Sequence, residues 1–190
     1  MDFTKIMQGR RSTREYTKQA LDEGTITRLI DAATWAPSAI NQQPWTFTVV
    51  RNQELLDRLS KEAKSHMIAT RPADIATGAR AGHFHATLSD PRFQIFYHAP
   101  VLIVISGEAP GAWIAEDCAL AAQNLMLMAH ALGLGSCWIG FAQSYLNTPK
   151  GKQLLGLPDV WVPVAPIIVG QPSSPPAAVP RKPPDILWKD

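Results

Sequence analysis

Residues 113–133, WIAEDCALAAQNLMLMAHALG, are the stretch that decides the fold. Their apolar side chains recur at helical spacing and cover more than one face, which predicts a long helix over 113–132 that is buried on most sides. Gly133 is the expected end of this helix. Polar residues such as Asp117 would be costly in lipid, so the stretch is read as a core helix and not as a membrane span. In a chain of 190 residues, a helix buried this fully predicts packing against a second copy.

Helices and strands intermix on both sides of this helix. Thr25 is the expected N-cap of the second helix. Pro163 and Pro166 place the first half of the last strand at a sheet edge or a bulge. The expected class is therefore α+β with a layered core of helices and sheet. Predicted helices cover residues 2–9, 25–36, 54–64 and 148–156, and predicted strands cover 46–50, 101–105, 136–140 and 162–169.

Composition limits the kinds of protein this chain can be. A hydrophobic content of 46% and a charged content of 18% are typical of a globular protein, and we expect one domain over residues 1–190. A net charge of +2 argues against nucleic acid or a membrane surface as a partner. The proline-rich tail, residues 171–190, should run extended across a surface of its own chain or of a partner.

Cysteine content and the N-terminus point to a cytoplasmic protein. The two cysteines, Cys118 and Cys137, lack the paired spacing of a disulfide framework or a zinc site. His83 and His85 could hold a metal, but the sequence supplies no nearby carboxylate or thiol to complete it, so we expect no metal site. The N-terminus carries no apolar run of the kind found in signal peptides, and a cytoplasmic location is the expectation.

The first candidate binding motif is Arg10-Arg11-Ser12-Thr13-Arg14. Three guanidinium groups and two hydroxyls within five residues are well suited to bidentate binding of a phosphate. The competing interpretation is a solvated basic turn, and for this segment alone it is the better one.

The second motif is the loop APSAINQQPW at residues 36–45. Its hydroxyl and amide groups could hydrogen-bond the polar edge of a heterocycle or a phosphate. A helix end followed by ordinary turn residues would explain its prolines, but explains the amides and Trp45 less well.

The third motif is GLGSCWIG at residues 133–140. It lacks the third glycine of a dinucleotide-binding fingerprint, because Trp138 occupies that place, and no suitable acidic residue follows. Gly140 could let the backbone approach a ligand closely, and a plain helix cap and strand is an equally good interpretation. The fourth motif, Arg181-Lys182, places two cations at the end of the tail, where they could close over a phosphate or simply be disordered.

Together these motifs resemble the nitroreductase family of flavoproteins. The matching pieces are RRSTREY at 10–16, APSAINQQPW at 36–45, DCALAAQNLMLMAHALGLGSCWIG at 117–140, and PVAPIIVGQP followed by PRKP. Each piece is weak alone, but their order along the chain is specific. The resemblance implies a central, mostly antiparallel sheet surrounded by helices. It also implies an intertwined homodimer with FMN at the subunit interface.

The resemblance also assigns residues to the cofactor. Arg10, Arg11 and Ser12 should hold the phosphate and ribityl end, and Arg14 should lie near N1 and O2 of the flavin ring. The remaining expected contacts are Pro37, Ser38 and Asn41 from the other subunit, Cys137, Ile139 and Gly140 along the ring with a backbone N–H near N5, and Arg181 on the phosphate. The segment 66–98, which shows no clean periodicity, corresponds to the part of the family that often lines the substrate pocket.

The implied activity is ping-pong hydride transfer from NADH or NADPH, through FMN, to a small acceptor such as a nitroaromatic or a quinone. No side chain is expected to act as a catalytic acid or base, since the flavin N5 carries the chemistry. Two different functions would also fit these motifs. One is that of a flavin-remodelling, dehalogenating or dehydrogenating enzyme of the same fold, and the other is that of a flavin-binding module without enzymatic activity.

Overall fold

The computed structural model describes residues 2–70 and 86–189. His83 and His85, considered above as metal ligands, lie outside the described residues, as does the part of segment 66–98 from 71 to 85. The helices are α1 (Phe3–Gly9), α2 (Glu23–Thr34), α3 (Gln53–Thr70), α4 (Ile114–Ala131), α5 (Gly140–Leu146) and α6 (Pro149–Leu155). The strands are β1 (Trp45–Val50), β2 (Val101–Gly107), β3 (Gly135–Trp138) and β4 (Val162–Gly170).

The four strands form one sheet in the order β1-β2-β4-β3, and every pair in it is antiparallel. The predicted α+β class with an antiparallel sheet is confirmed. Side chains alternate across β2, so that Ile103 joins a core shared with α2 and α4, whereas Leu102 joins a core shared with α3 and α5. Helices therefore cover both faces of the sheet, and α4 is the central helix of the first face.

The boundaries of several elements differ from the expectation. Thr25 is not the N-cap of α2, because Asp22 holds that position and its side chain accepts hydrogen bonds from the Thr25 backbone N–H and hydroxyl at 2.7 Å each. A carboxylate satisfies the free N–H groups of a first turn and also suits the helix dipole. Gly140 does not end a strand but begins helix α5.

The prolines of β4 have the predicted effect. The register with β2 shifts between Ile105 and Ser106, opposite the first half of β4. Strand β3 pairs only with residues 167–170 of β4. The first half of β4 therefore combines a bulge with an edge that has no strand partner among the described residues, as predicted from Pro163 and Pro166.

The tail leaves the sheet after Gly170 and contains neither helix nor ladder strand as far as Lys189. Its start is held by an isolated bridge between Tyr16 and Pro172. Ile186, Leu187 and Trp188 near its end are all exposed. None of the described helices is long and apolar enough to cross a membrane.

Candidate functional site

The Arg segment, residues 10–14, is fixed to the sheet at its centre. The Thr13 N–H donates to the Ser136 carbonyl at 3.0 Å, and Ser12 forms a bridge with Ser136 of β3. Thr13 is buried against Gly135, where a Cβ would lie 2.6 Å from the Thr13 hydroxyl oxygen. The absence of a side chain at 135 thus lets the Arg segment lie directly on the strand. Ser12 and Arg14, on either side of Thr13, are exposed.

Cys137 lies where the predicted anion-binding residues converge. Its thiol is buried, and burial raises its pKa, while the charges of Arg14 and Arg10 and a hydrogen bond with Ser12 act in the opposite direction. Arg10, Ser12, Arg14 and Cys137 are therefore brought together within one chain. With a raised pKa the thiol stays protonated near pH 7, so Cys137 is not poised to act as a nucleophile.

Arg11 has a partly structural role. Its Nη1 donates to the carbonyls of Gln8 at 2.5 Å and Arg10 at 2.9 Å, which satisfies acceptors at the end of α1. Its Nε is buried and has no hydrogen-bond partner among the described residues. An unpaired buried N–H on a guanidinium is a feature that an anionic ligand would satisfy after a small rearrangement.

Ile139 and Gly140 stand at the junction of β3 and α5. The Ile139 N–H donates to the Pro166 carbonyl at 2.8 Å, so it is already used. Gly140 is exposed, and a Cβ built on it meets no atom within 4 Å. As the first residue of α5, Gly140 has no acceptor for its N–H inside the helix.

Tyr97 is a member of the site that the sequence did not reveal. Its ring lies under the guanidinium of Arg14, with 5.9 Å between Cζ and the ring centroid. The backbone of Tyr97 and His98 is left-handed, with φ of 52° and 53°. Two such residues in succession are uncommon outside glycine and are found where the surrounding structure enforces them. Because segment 66–98 has no readable period, only the aromatic run around Tyr97 could have drawn attention to it.

The second motif forms a strained loop, residues 38–43, which we call the amide loop. Ile40, Asn41 and Gln43 all have positive φ, and Ile40 is 89% exposed although it is β-branched. The Gln43 N–H donates to the Ser38 hydroxyl at 2.9 Å, and the Gln43 amide donates to Asn41 Oδ1 at 3.1 Å. The loop is thus internally braced and presents Asn41 to the outside.

The amide loop and the Arg segment lie at opposite ends of α4. Ala39 is bonded to Asp117 in the first turn of α4. At the other end, a Cβ placed on Gly9 would lie 2.5 Å from Nε2 of His130, in the last turn. At about 1.5 Å per residue, Asp117 and His130 are about 20 Å apart along the helix axis. One chain therefore does not bring Pro37, Ser38 and Asn41 to the Arg segment.

The tail passes beside the Arg segment. Residues 174–177 and 12–15 line a cleft of about 270 Å³, and the Ser174 hydroxyl donates to Glu15 at 3.2 Å. Arg181 lies further along the tail and is exposed. Within residues 2–70 and 86–189, no cluster of three or more His, Cys, Asp or Glu side chains could hold a metal ion.

Comparison with known proteins gives consistent matches over most of the chain. The model of the nitroreductase family matches residues 7–171. A relative from Methanothermobacter thermautotrophicus, whose name includes NAD(P)H nitroreductase, is 30% identical over 181 residues, which cover 93% of this chain and 80% of the relative. An iodotyrosine deiodinase of Haliscomenobacter hydrossis is 23% identical over 180 residues, covering 86% of this chain and 78% of the deiodinase.

The fold agrees with a crystal structure of a nitroreductase with bound FMN from Bacteroides fragilis. The TM-score is 0.81 at 24% sequence identity, and the alignment covers 100% of both chains. A sequence match over residues 7–171 and a 30% identical relative, each covering most of the chain, establish common descent. The chain belongs to the nitroreductase family.

Proposed function

We propose that the protein is an FMN-dependent oxidoreductase that takes hydride from NADH or NADPH and passes it to a nitroaromatic, a quinone or a related small acceptor in a ping-pong cycle. One observation carries this proposal: in a member of this family, the bridge between Ser12 and Ser136 and the hydrogen bond from Thr13 to Ser136 place the Arg segment directly on β3, beside Cys137. Whole-chain similarity to a relative named for NAD(P)H nitroreduction supports the choice of donor and acceptor.

The residues present fit FMN. Arg10, Arg11 and Ser12 supply the charge and hydroxyl that a phosphate and ribityl chain require. The unpaired Nε of Arg11 and the open space at Gly140 are both features that a bound ligand would complete. Since the Ile139 N–H is taken by Pro166, we assign the donor toward flavin N5 to the Gly140 N–H, with Cys137 and Ile139 lining the ring. Arg181 would close on the phosphate from the tail.

Arg14 supplies the electrostatic part of the mechanism. The structure shows no ion pair between Arg14 and any described residue, so its full charge is available to a ligand. When bound, FMN supplies the hydride chemistry at N5. A permanent cation near N1 and O2 stabilises the negative charge of the reduced ring, and it does so without a proton transfer from the protein.

Neither tyrosine near Arg14 is suited to act as an acid or base near neutral pH. Burial raises the pKa of Tyr16 strongly, and its hydroxyl already donates to the Thr13 carbonyl at 2.8 Å. Burial also raises the pKa of Tyr97, although Arg14 opposes the shift. Both phenols stay protonated, so protons for the reaction would come from water.

We further propose that the site is shared between two subunits of an intertwined homodimer. Direct hydrogen bonds need about 3 Å, whereas the residues of α4 that the amide loop and Gly9 contact, Asp117 and His130, are about 20 Å apart along the helix. A two-fold axis that places the α4 helices of the two subunits antiparallel to each other would bring Pro37, Ser38 and Asn41 of one subunit to the Arg segment of the other.

The apolar surface around α4 supports association. Phe3, Trp35 and Trp113 are 62%, 85% and 60% exposed in the single chain, although each is large and apolar. Phe3 and Trp35 line a groove against α4, together with Leu127 and Met128. An exposed apolar surface of this kind is typical of a protein–protein interface. The whole chain would then act as one FMN-binding domain with its tail over the dimer surface, and we place it in the cytoplasm.

Reductive dehalogenation by the same flavin is the second candidate, and similarity to the iodotyrosine deiodinase favours it over flavin remodelling and dehydrogenation. Nitroreduction and dehalogenation need the same FMN site, so they differ in the acceptor alone. Nothing on the described surface favours a module without activity.

The deciding experiment titrates purified protein with FMN and then adds NADH or NADPH without oxygen. We expect a bound yellow chromophore that bleaches with the nicotinamide and recovers with a nitroaromatic or a quinone. Recovery with a halogenated phenol alone would select dehalogenation, and bound FMN that never bleaches would leave a binding module. Arg14→Ala should slow bleaching, whereas Arg181→Ala should mainly weaken FMN binding. Equal effects of both substitutions would remove this division of roles.

A further inference from the structure

The segment before β2, residues 90–98, is fixed by hydrogen bonds to α3. The Ser60 hydroxyl accepts from the Ile95 N–H at 3.0 Å, and both groups are buried. Lys64 donates to the carbonyls of Asp90 at 2.7 Å and Phe93 at 2.6 Å. Helix α3 thus fixes this segment by three hydrogen bonds, two of them from a charged donor.

Aromatic contacts connect this fixed segment to Arg14. The Phe93 ring meets the Tyr97 ring edge to face, with 5.6 Å between centroids and an interplanar angle of 78°. The left-handed backbone at Tyr97 and His98 then turns the Tyr97 ring toward Arg14. A strained backbone persists where its surroundings enforce it, and here α3 and Phe93 do so.

A ring face differs from a carboxylate as a partner for Arg14. A carboxylate would neutralise the guanidinium and occupy its N–H groups. A ring at about 6 Å attracts the cation through its quadrupole and leaves its charge undiminished. The Tyr97 hydroxyl also forms a hydrogen bond with the Arg14 side chain, which leaves the other N–H groups of the guanidinium for a ligand. Arg14 is exposed, so without such a partner its long side chain would sample many rotamers.

We propose that Tyr97 is a positioning residue that holds the Arg14 guanidinium by its ring face and directs the undiminished charge toward the flavin. The role rests on the proposed FMN site. The ring carries the contact and the hydroxyl adds a hydrogen bond with the Arg14 side chain, so Tyr97→Phe should preserve most of the role and Tyr97→Leu should remove it.

The first test uses the protein without cofactor. In NMR spectra, the Arg14 Nε–Hε signal should shift in Tyr97→Leu and shift much less in Tyr97→Phe, which keeps the ring. Phe47→Leu is the matched control, because it removes another half-buried ring, one that packs on the opposite core. An Arg14 signal that ignores Tyr97→Leu would overturn the contact.

The second test measures how much more tightly each variant binds reduced than oxidised FMN. Cation–π contacts of this size correspond to about a two- to fivefold effect, so Tyr97→Leu should lower that ratio by about this factor. In an Arg14→Ala background, Tyr97→Leu should cause no further loss, because the two residues act as one unit.

The two proposals fail in distinguishable ways. If wild-type protein binds no FMN, the proposed function fails and the flavin-directed role of Tyr97 falls with it. If FMN binds and Arg14→Ala lowers the ratio but Tyr97→Leu does not, the inference about Tyr97 is wrong and the proposed function stands. Additive losses in the double variant would also overturn it.

Discussion

Asp117, in the first turn of α4, accepts a hydrogen bond from the Ala39 backbone N–H at 2.9 Å, although the two residues are 78 positions apart. Asp117 is only 4% exposed. This single contact fastens the amide loop to the central helix. A buried acidic side chain thus serves to place a loop, and the loop is the part of the chain that we assign to the partner's site.

Substitution of Asp117 should therefore affect both folding and cofactor binding. Asp117→Ala leaves the Ala39 N–H without its acceptor, which should lower the free energy of unfolding by about 1–3 kcal/mol. It should also weaken FMN binding, because Asn41 would lose its fixed place. Denaturant unfolding and FMN titration would measure the two effects. Asp31→Ala, an exposed acid on α2, is the matched control and should change neither.

Most of the fold could be predicted from the sequence because hydrophobic periodicity and helix-capping residues mark the core elements clearly. Helix α4 and strand β2 are apolar in patterns that only a core explains, and Thr148 and Gly156 mark the ends of α6 as expected. Helix α5 was missed because it directly follows β3 without a turn residue other than Gly140, whose type fits a strand end equally well.

The site was less predictable for a physical reason. The Arg segment could be found because charge and spacing are local properties of the sequence. The contact between Tyr97 and Arg14 depends on left-handed backbone at Tyr97 and His98. Neither residue type predicts this backbone conformation. The attachment of the amide loop to Asp117 is likewise a long-range contact.

Gly140 and Gly156 offer a test that separates cofactor binding from folding. A Cβ fits at Gly140 without contact, so Gly140→Ala should leave stability nearly unchanged and yet weaken FMN binding by filling the proposed ring site. Gly156 has φ of 67° at the end of α6, so Gly156→Ala should cost about 1 kcal/mol of stability and leave FMN affinity unchanged. Thermal unfolding and FMN titration of both variants would check this. Unchanged FMN affinity in Gly140→Ala would contradict the proposed position of the ring.

Buried Cys118 should make stability fall at high pH. Burial raises its pKa from 9.0 to about 12, and neighbouring Asp117 adds to the shift. Below pH 9 both folded and unfolded states keep the proton, so nothing is lost. Between pH 9 and pH 12 the unfolded state releases the proton first, and stability declines. By pH 10.5 the loss from Cys118 should be about 1–2 kcal/mol.

Denaturant unfolding under reducing conditions at pH 8 and pH 10.5 measures this loss. Cys118→Ala should be less stable at pH 8, because it loses packing, but its stability should fall less between the two pH values. The difference between the two changes in stability gives the contribution of the Cys118 thiol, because the tyrosines contribute equally in both proteins. Parallel slopes would show that Cys118 does not titrate as its burial requires.

Mixed dimers give the most direct test of a site shared between subunits. Arg14→Ala removes a residue of one half of the site, and Asn41→Ala removes a residue of the other half. A heterodimer of the two variants would contain one site with both changes and one site with neither.

Random mixing makes about half of the dimers heterodimers, so about a quarter of wild-type turnover should return when two weakly active preparations are unfolded and refolded together. Preparations mixed without unfolding are the control and should stay weakly active over a time shorter than subunit exchange. If refolded mixtures show only the average activity of the two variants, each site is complete within one chain, and the antiparallel arrangement of α4 across the interface is wrong.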